Sequence, residues 1–140
     1  MSMNPQTLLR IGYGLVPIVA GADKFTNQLT DWERYLSPAM KKALPIDGGT
    51  FMKLVGVIEI AAGALVLSRW TKLGALLVAG WLGAITAQLV TSRDHYDIAA
   101  RDALLALGAF ALAQMSPARV WRELAESSGD ALRPETASIH

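Results

Sequence analysis

Leu73–Val90, LGALLVAGWLGAITAQLV, decides the fold class. It holds 18 residues and no charge, just long enough to cross the hydrocarbon of a bilayer as a helix. A helix in a soluble protein keeps a polar stripe toward water, and this run has none. Small residues recur at every fourth position, Ala75, Ala79, Gly83 and Ala87, the spacing by which membrane helices approach closely. The run reads as a membrane span. Composition agrees. Charged residues make up 18% of the chain and hydrophobic residues 52%, whereas a soluble domain carries about 25% charged residues.

Three more apolar runs flank this one. Phe51–Leu67 precedes it across the turn Ser68–Lys72, a link so short that the two helices must be antiparallel neighbours. Ile98–Met115 follows it across the polar loop 91–97, and Leu8–Ala22 opens the chain. Pro17 would kink that first run, which a membrane helix tolerates when its neighbours satisfy the freed carbonyl. The four runs predict an all-α chain, an antiparallel four-helix transmembrane bundle. Its spans fall at about 7–24, 51–68, 72–91 and 97–115, within one domain over 1–128. The first run has a second reading as a secretory leader, because Ala20-Gly21-Ala22 is spaced like a cleavage site.

The connections carry structure of their own. Thr30-Asp31-Trp32-Glu33 fits a capping box. Leu29, Trp32, Leu36 and Met40 then share one helical face, and Ser37-Pro38 divides the segment in two. This predicts interfacial amphipathic helices over about 29–44, with an ordinary surface helix as the other reading. Ser116-Pro117 looks like the cap and first position of another such helix, over about 117–127 and stopped at Gly129. The last residues, 129–140, have no pattern and are expected to be disordered. Trp32, Trp70 and Trp121 lie outside the apolar runs, where an aromatic belt would sit, and Trp81 lies at mid-depth.

Several function classes fall away. A net charge of +1, with no basic patch interleaved with aromatics, argues against nucleic acid. The absence of cysteine excludes disulfides, thiol catalysis and thiolate metal sites. His95 and His140 lie far apart, and no metal-ligand spacing is present. Basic residues divide almost evenly between the two sides of a four-span topology. The short basic turn at 68–72 and the basic tail choose a cell-membrane protein with both termini cytoplasmic.

Glu59 is the anomaly. It sits in GVIEIAAGAL, Gly56–Leu65, about 12 Å along the second span at 1.5 Å per residue. A bare buried charge costs several kcal/mol, so Glu59 must be neutral, paired or in water. Connectivity brings Lys24, Gln88, Arg101, Asp102 and His95 toward the same half of the bundle, where they could line one cavity. Two accounts follow. In one, Glu59 and Asp102 pair with Lys24 or Arg101 and lock the bundle. In the other, they bind a polar headgroup or handle protons, as ionisable groups inside a membrane often do. Trp81 reads as core packing or as a platform for a ligand's tail.

LLRIGYGL (Leu8–Leu15), AGADKF (Ala20–Phe25), GVIEIAAGALVL (Gly56–Leu67) and ARDALLALGA (Ala100–Ala109) together resemble the DoxX family of small four-helix membrane proteins. The resemblance covers the four apolar runs. It implies association with redox systems, since some relatives are subunits of thiosulfate:quinone oxidoreductase and others act beside redox or thiol-stress enzymes. Quinone reduction through a cysteine pair is excluded here, so electrons would have to come from a partner. The expected function is a quinone- or lipid-binding accessory subunit of a membrane redox system, with no catalysis of its own beyond handling quinone. Glu59 and Asp102 would take protons or hydrogen bonds, with Lys24 and Arg101 as counter-charges. A non-enzymatic scaffold for a partner protein is the alternative. A small-solute transporter is a third reading, weakened by the absence of an inverted repeat. Homo-oligomerisation stays open.

Overall fold

A computed structural model describes residues 3–93 and 95–131. Every element among them is helical: α1 Pro5–Asp23, a 3-10 turn Trp32–Tyr35, α2 Pro38–Ala43, α3 Gly48–Leu67, α4 Thr71–Thr91, α5 Tyr96–Met115 and α6 Arg119–Ala131.

Local signals set the starts. The Asn4 side chain accepts from Gln6 N–H at 2.9 Å, and Pro5 occupies the first turn of α1. The missing N–H of Pro5 costs nothing there. Ser37 caps α2 by accepting from Met40 N–H at 3.2 Å, with Pro38 just inside. Asp47 caps α3, accepting from Thr50 N–H and from the Thr50 hydroxyl, both at 2.8 Å. These bonds hold the Asp47 carboxyl below its ordinary range. They also recruit Gly48 and Gly49 into α3, which therefore begins ahead of the apolar run at Phe51.

Glycine sets the packing of α1 on α3. Gly14 lies under the Leu67 side chain, and Gly63 lies under the Gly14 carbonyl. A Cβ on Gly21 would come within 2.5 Å of the Gly56 carbonyl oxygen, and one on Gly56 within 2.5 Å of the Gly21 carbonyl oxygen. The contacts pair rising numbers in α1 with falling numbers in α3, so these two helices run in opposite directions. α4 packs closely on α5 and meets α3 beside the 68–70 turn. There Gly74 lies against the backbone of Leu65 and Val66. The core gathers Val66, Ala75, Val78, Ala109, Leu112 and Ala113.

Among the described residues, α3, α4 and α5 are long and apolar enough to cross a membrane, and only 22 to 28% of each apolar stretch is covered by the rest of the chain. Leu104 and Leu107 of α5 remain 71% and 63% exposed. Bare aliphatic surface on that scale suits hydrocarbon and not water. α1 falls short of the same measure, because Gln6, Thr7, Arg10 and Asp23 dilute its apolar centre.

Several expectations are corrected. The 29–44 segment divides at Ser37-Pro38 into two short helical elements as expected, but the first is only a four-residue 3-10 turn and the second, α2, has six residues. Its first cap is Asp31, accepting from Glu33 N–H at 3.2 Å, and not Thr30. Glu33 does not close a capping box. Its carboxylate instead lies over Gly48 and Gly49 at the start of α3. Leu29 is 69% exposed and leaves the expected apolar face. Ser116 caps the end of α5, its hydroxyl donating to the Leu112 carbonyl at 2.7 Å, so α6 starts later, at Arg119. α6 passes through Gly129 to Ala131, because no left-handed cap forms there. The expected disorder after that point, and the side chain of Trp121, lie outside the described residues. The small-residue seam of α4 is used at Ala75 and Ala79 only; Gly83 and Ala87 face outward.

Candidate functional site

Asp23 organises the site. It ends α1, and the backbone turns there through Asn27, whose φ of 51° lies in the left-handed region that asparagine tolerates. The Asp23 carboxylate accepts from Thr26 Oγ1 at 3.1 Å, Gln28 N–H at 2.9 Å, Leu29 N–H at 3.1 Å and Trp32 Nε1 at 2.8 Å. Four donors on one carboxylate fold residues 24–32 back over the end of α1.

The fold-back covers Lys24. Its side chain does not rise to the surface, as a terminal lysine would when snorkelling. It runs inward, and Nζ lies 2.6 Å from Glu59 Oε2. The Trp32 ring closes over the ammonium, 3.6 Å from Nζ to the ring centroid. The two charged side chains are 4% and 13% exposed. The ion pair is therefore desolvated, a geometry that is stable only when both partners are present.

Two groups from the other helix pair approach Glu59. Trp81 of α4 and Asp102 of α5 are both close enough to act on its carboxylate. The Trp81 indole N–H is buried and reaches toward the Glu59 carboxylate without closing a hydrogen bond of ordinary length. Asp102 is buried, and its Oδ1 accepts from Arg101 Nε at 2.9 Å and Nη2 at 2.8 Å. Arg101 is 64% exposed, so it brings its charge to Asp102 from outside.

The structure thus joins Lys24, Glu59, Trp81, Asp102 and Arg101. Gln88 and His95 have their described contacts elsewhere. His95 precedes α5 with φ 54° and packs edge-on against Tyr35, 5.5 Å between ring centroids. Gln88 belongs to a separate groove between α4 and α2. Trp81 and Gln88 share a face of α4, but they lie seven residues apart, about 10 Å along the helix, and at the level of Gln88 that face meets Ser37, Pro38 and Ala39. Reading the sequence missed Asp23 and the roofing role of Trp32. An acid directly before the terminal lysine was the available signal.

The chain carries the sequence of a known family over this site. The family model described as DoxX matches residues 6–91. The chain belongs to the DoxX family. The DoxX match runs from the first turn of α1 to the end of α4 and includes Lys24, Glu59 and Trp81. It stops before Asp102, so the fourth motif, at 100–109, lies beyond it. With three membrane-competent helices, this DoxX chain is a membrane protein. No curated protein and no solved structure matches it.

Proposed function

We propose that the chain crosses the cell membrane four times, with α1, α3, α4 and α5 as an antiparallel bundle and both termini cytoplasmic. We propose further that the Lys24–Glu59–Trp81–Asp102 cluster binds a ligand with a polar head and an apolar tail, a quinone or a lipid headgroup, on behalf of a redox partner. The observation that carries this reading is the buried Trp81 Nε1, which reaches toward Glu59 without closing a hydrogen bond of ordinary length, beside a desolvated ion pair. A buried donor held short of a full hydrogen bond is left under-satisfied, and a ligand carbonyl would complete it.

The residues suit a quinone. Its carbonyls need donors, and Trp81 supplies one. The Lys24 ammonium has three protons, of which Glu59 takes one. A bound quinone would supply a two-electron, two-proton acceptor. Glu59 and Asp102 are carboxylates that hold or release a proton at that depth, and Arg101 opens Asp102 to the polar boundary. The Trp32 roof keeps water off the pair.

The test uses protein purified in mild detergent and extracted for quinones and lipids. Wild type is expected to carry a stoichiometric ligand. Trp81→Phe should lose most of it while its melting temperature changes little, because it keeps an aromatic ring in place and removes only an N–H that closes no full hydrogen bond. Wild type without ligand would overturn the reading. It would favour a scaffold in which Lys24–Glu59 and Arg101–Asp102, both already satisfied, serve as fastenings for the bundle.

A further inference from the structure

A groove of about 580 Å³ opens between α2 and the last turns of α4, away from the ion-pair cluster. Ser37, Pro38 and Ala39 form one wall, and Ala87, Gln88 and Thr91 the other. Its chemistry is uneven. The Thr91 hydroxyl is committed to the Ala87 carbonyl at 2.7 Å, and Ser37 Oγ already accepts from Met40 N–H. Gln88 Nε2 is buried and has no hydrogen-bond partner among the described residues. A primary amide in that state asks for an acceptor. No charged side chain lines the groove, so the acceptor that fits is a neutral carbonyl.

Position narrows the choice. Gln88 lies one turn inside the end of α4 at Thr91, about 4.5 Å below it at 1.5 Å per residue. A membrane helix ends near the headgroup layer, and ester carbonyls lie just beneath it. Lys41 and Lys42, both exposed, follow Pro38 by three and four residues on α2, which puts them on the face of α2 that carries Pro38. Two exposed cations following Pro38 on α2 and an amide donor inside the groove offer the two groups, phosphate partner and ester partner, that one lipid molecule calls for.

We propose that this groove is a binding site for a diacyl phospholipid, with Gln88 donating to an ester carbonyl and Lys41 and Lys42 facing the phosphate. This site is separate from the ion-pair cluster, and neither proposal depends on the other.

Native mass spectrometry of delipidated protein provides the test, titrating phosphatidylglycerol with ester-linked chains against its ether-linked analogue. The ether lipid has the same phosphate and tails but no carbonyl. Wild type should prefer the ester lipid by about five-fold, the worth of one neutral hydrogen bond. Gln88→Leu should bind both lipids equally, at the ether level. Lys41→Ala/Lys42→Ala should weaken both lipids together and keep the ester preference. Equal binding of the two lipids by wild type overturns the proposal, as does an ester preference that survives in Gln88→Leu. A decylquinone that displaces the ester lipid from wild type but not from Gln88→Leu would assign the groove to quinone instead and also overturn it. Because Gln88→Leu replaces an unpartnered amide with an apolar side chain, it should fold, and its melting temperature checks this.

Discussion

Lys24 and Glu59 make one fastening of two parts. Each charge is buried, and each has the other as its close counter-ion. Removing one partner of such a pair strands the other, at a cost of roughly 3–5 kcal/mol, whereas replacing both with apolar groups is often neutral. Lys24→Met should therefore lower the melting temperature in detergent sharply, and Lys24→Met/Glu59→Met should recover most of the loss. Additive losses in this cycle would show that the pair is not coupled. The sequence shows Glu59 as an anomaly and Lys24 as a candidate partner, because a carboxylate in an apolar run demands a cation from the nearest helix end. It does not show Asp23 gathering four donors, since that depends on where the chain turns after α1. Arg10 is a similar case. It reads as a snorkelling cation, yet its guanidinium donates to the carbonyls of Val66, Leu67 and Ser68, the last at 2.9 Å. It thereby caps the end of α3, where helix carbonyls lack partners and the dipole is negative.

The helices α3, α4 and α5 were legible from the length of their apolar runs, which in α4 is free of charge from Leu73 to Val90, and their ends differ from the expected ones by up to three residues. The faces were less legible. Four-residue spacing in α4 identifies residues that share a side, but says nothing about what lies opposite. Gly83 would meet nothing within 4 Å, so that part of the stripe packs against no other described element. The close approach lies instead between α1 and α3, at Gly14, Gly21, Gly56 and Gly63, spaced seven apart within each helix. A methyl group on Gly63 would press into the Gly14 carbonyl and the Ile18 backbone N–H. Gly63→Ala should cost about 1–3 kcal/mol. Gly83→Ala should be neutral or gain up to about 1 kcal/mol from helix propensity. Thermal melts of the two variants in the same detergent check the contrast, and equal effects would mean that the α1–α3 seam is looser than it is drawn here.

For the whole molecule, one end of the helix assembly is tied and the other is roofed. Gln6 Nε2 donates to the Met115 carbonyl at 3.0 Å, and Tyr13 Oη to the Leu105 carbonyl at 2.8 Å, so α1 and α5 meet toward the chain's N-terminal end. The opposite end carries the 26–47 segment. If the termini are cytoplasmic, the roofed end faces outward. The absence of native cysteine allows a clean test in intact cells. Gln28→Cys should react with a membrane-impermeant maleimide, and Arg69→Cys should react only after the membrane is opened. The reverse pattern would invert the proposed orientation without disturbing the fold.

The inward course of Lys24 bears on how the chain is made. α1 is made before the other long helices, carries Arg10 in its second turn and Asp23 at its end, and falls short of the apolar measure that α3, α4 and α5 meet. Its lysine finds a carboxylate only once α3 has been synthesised, about 35 residues later, the separation of Lys24 and Glu59 in the chain. Until then, lodging α1 in lipid leaves an unpaired ammonium, and the Gly14 and Gly21 face has nothing to close on. If α1 spans the membrane as proposed, its stable placement waits for α3, and the two would enter as a hairpin.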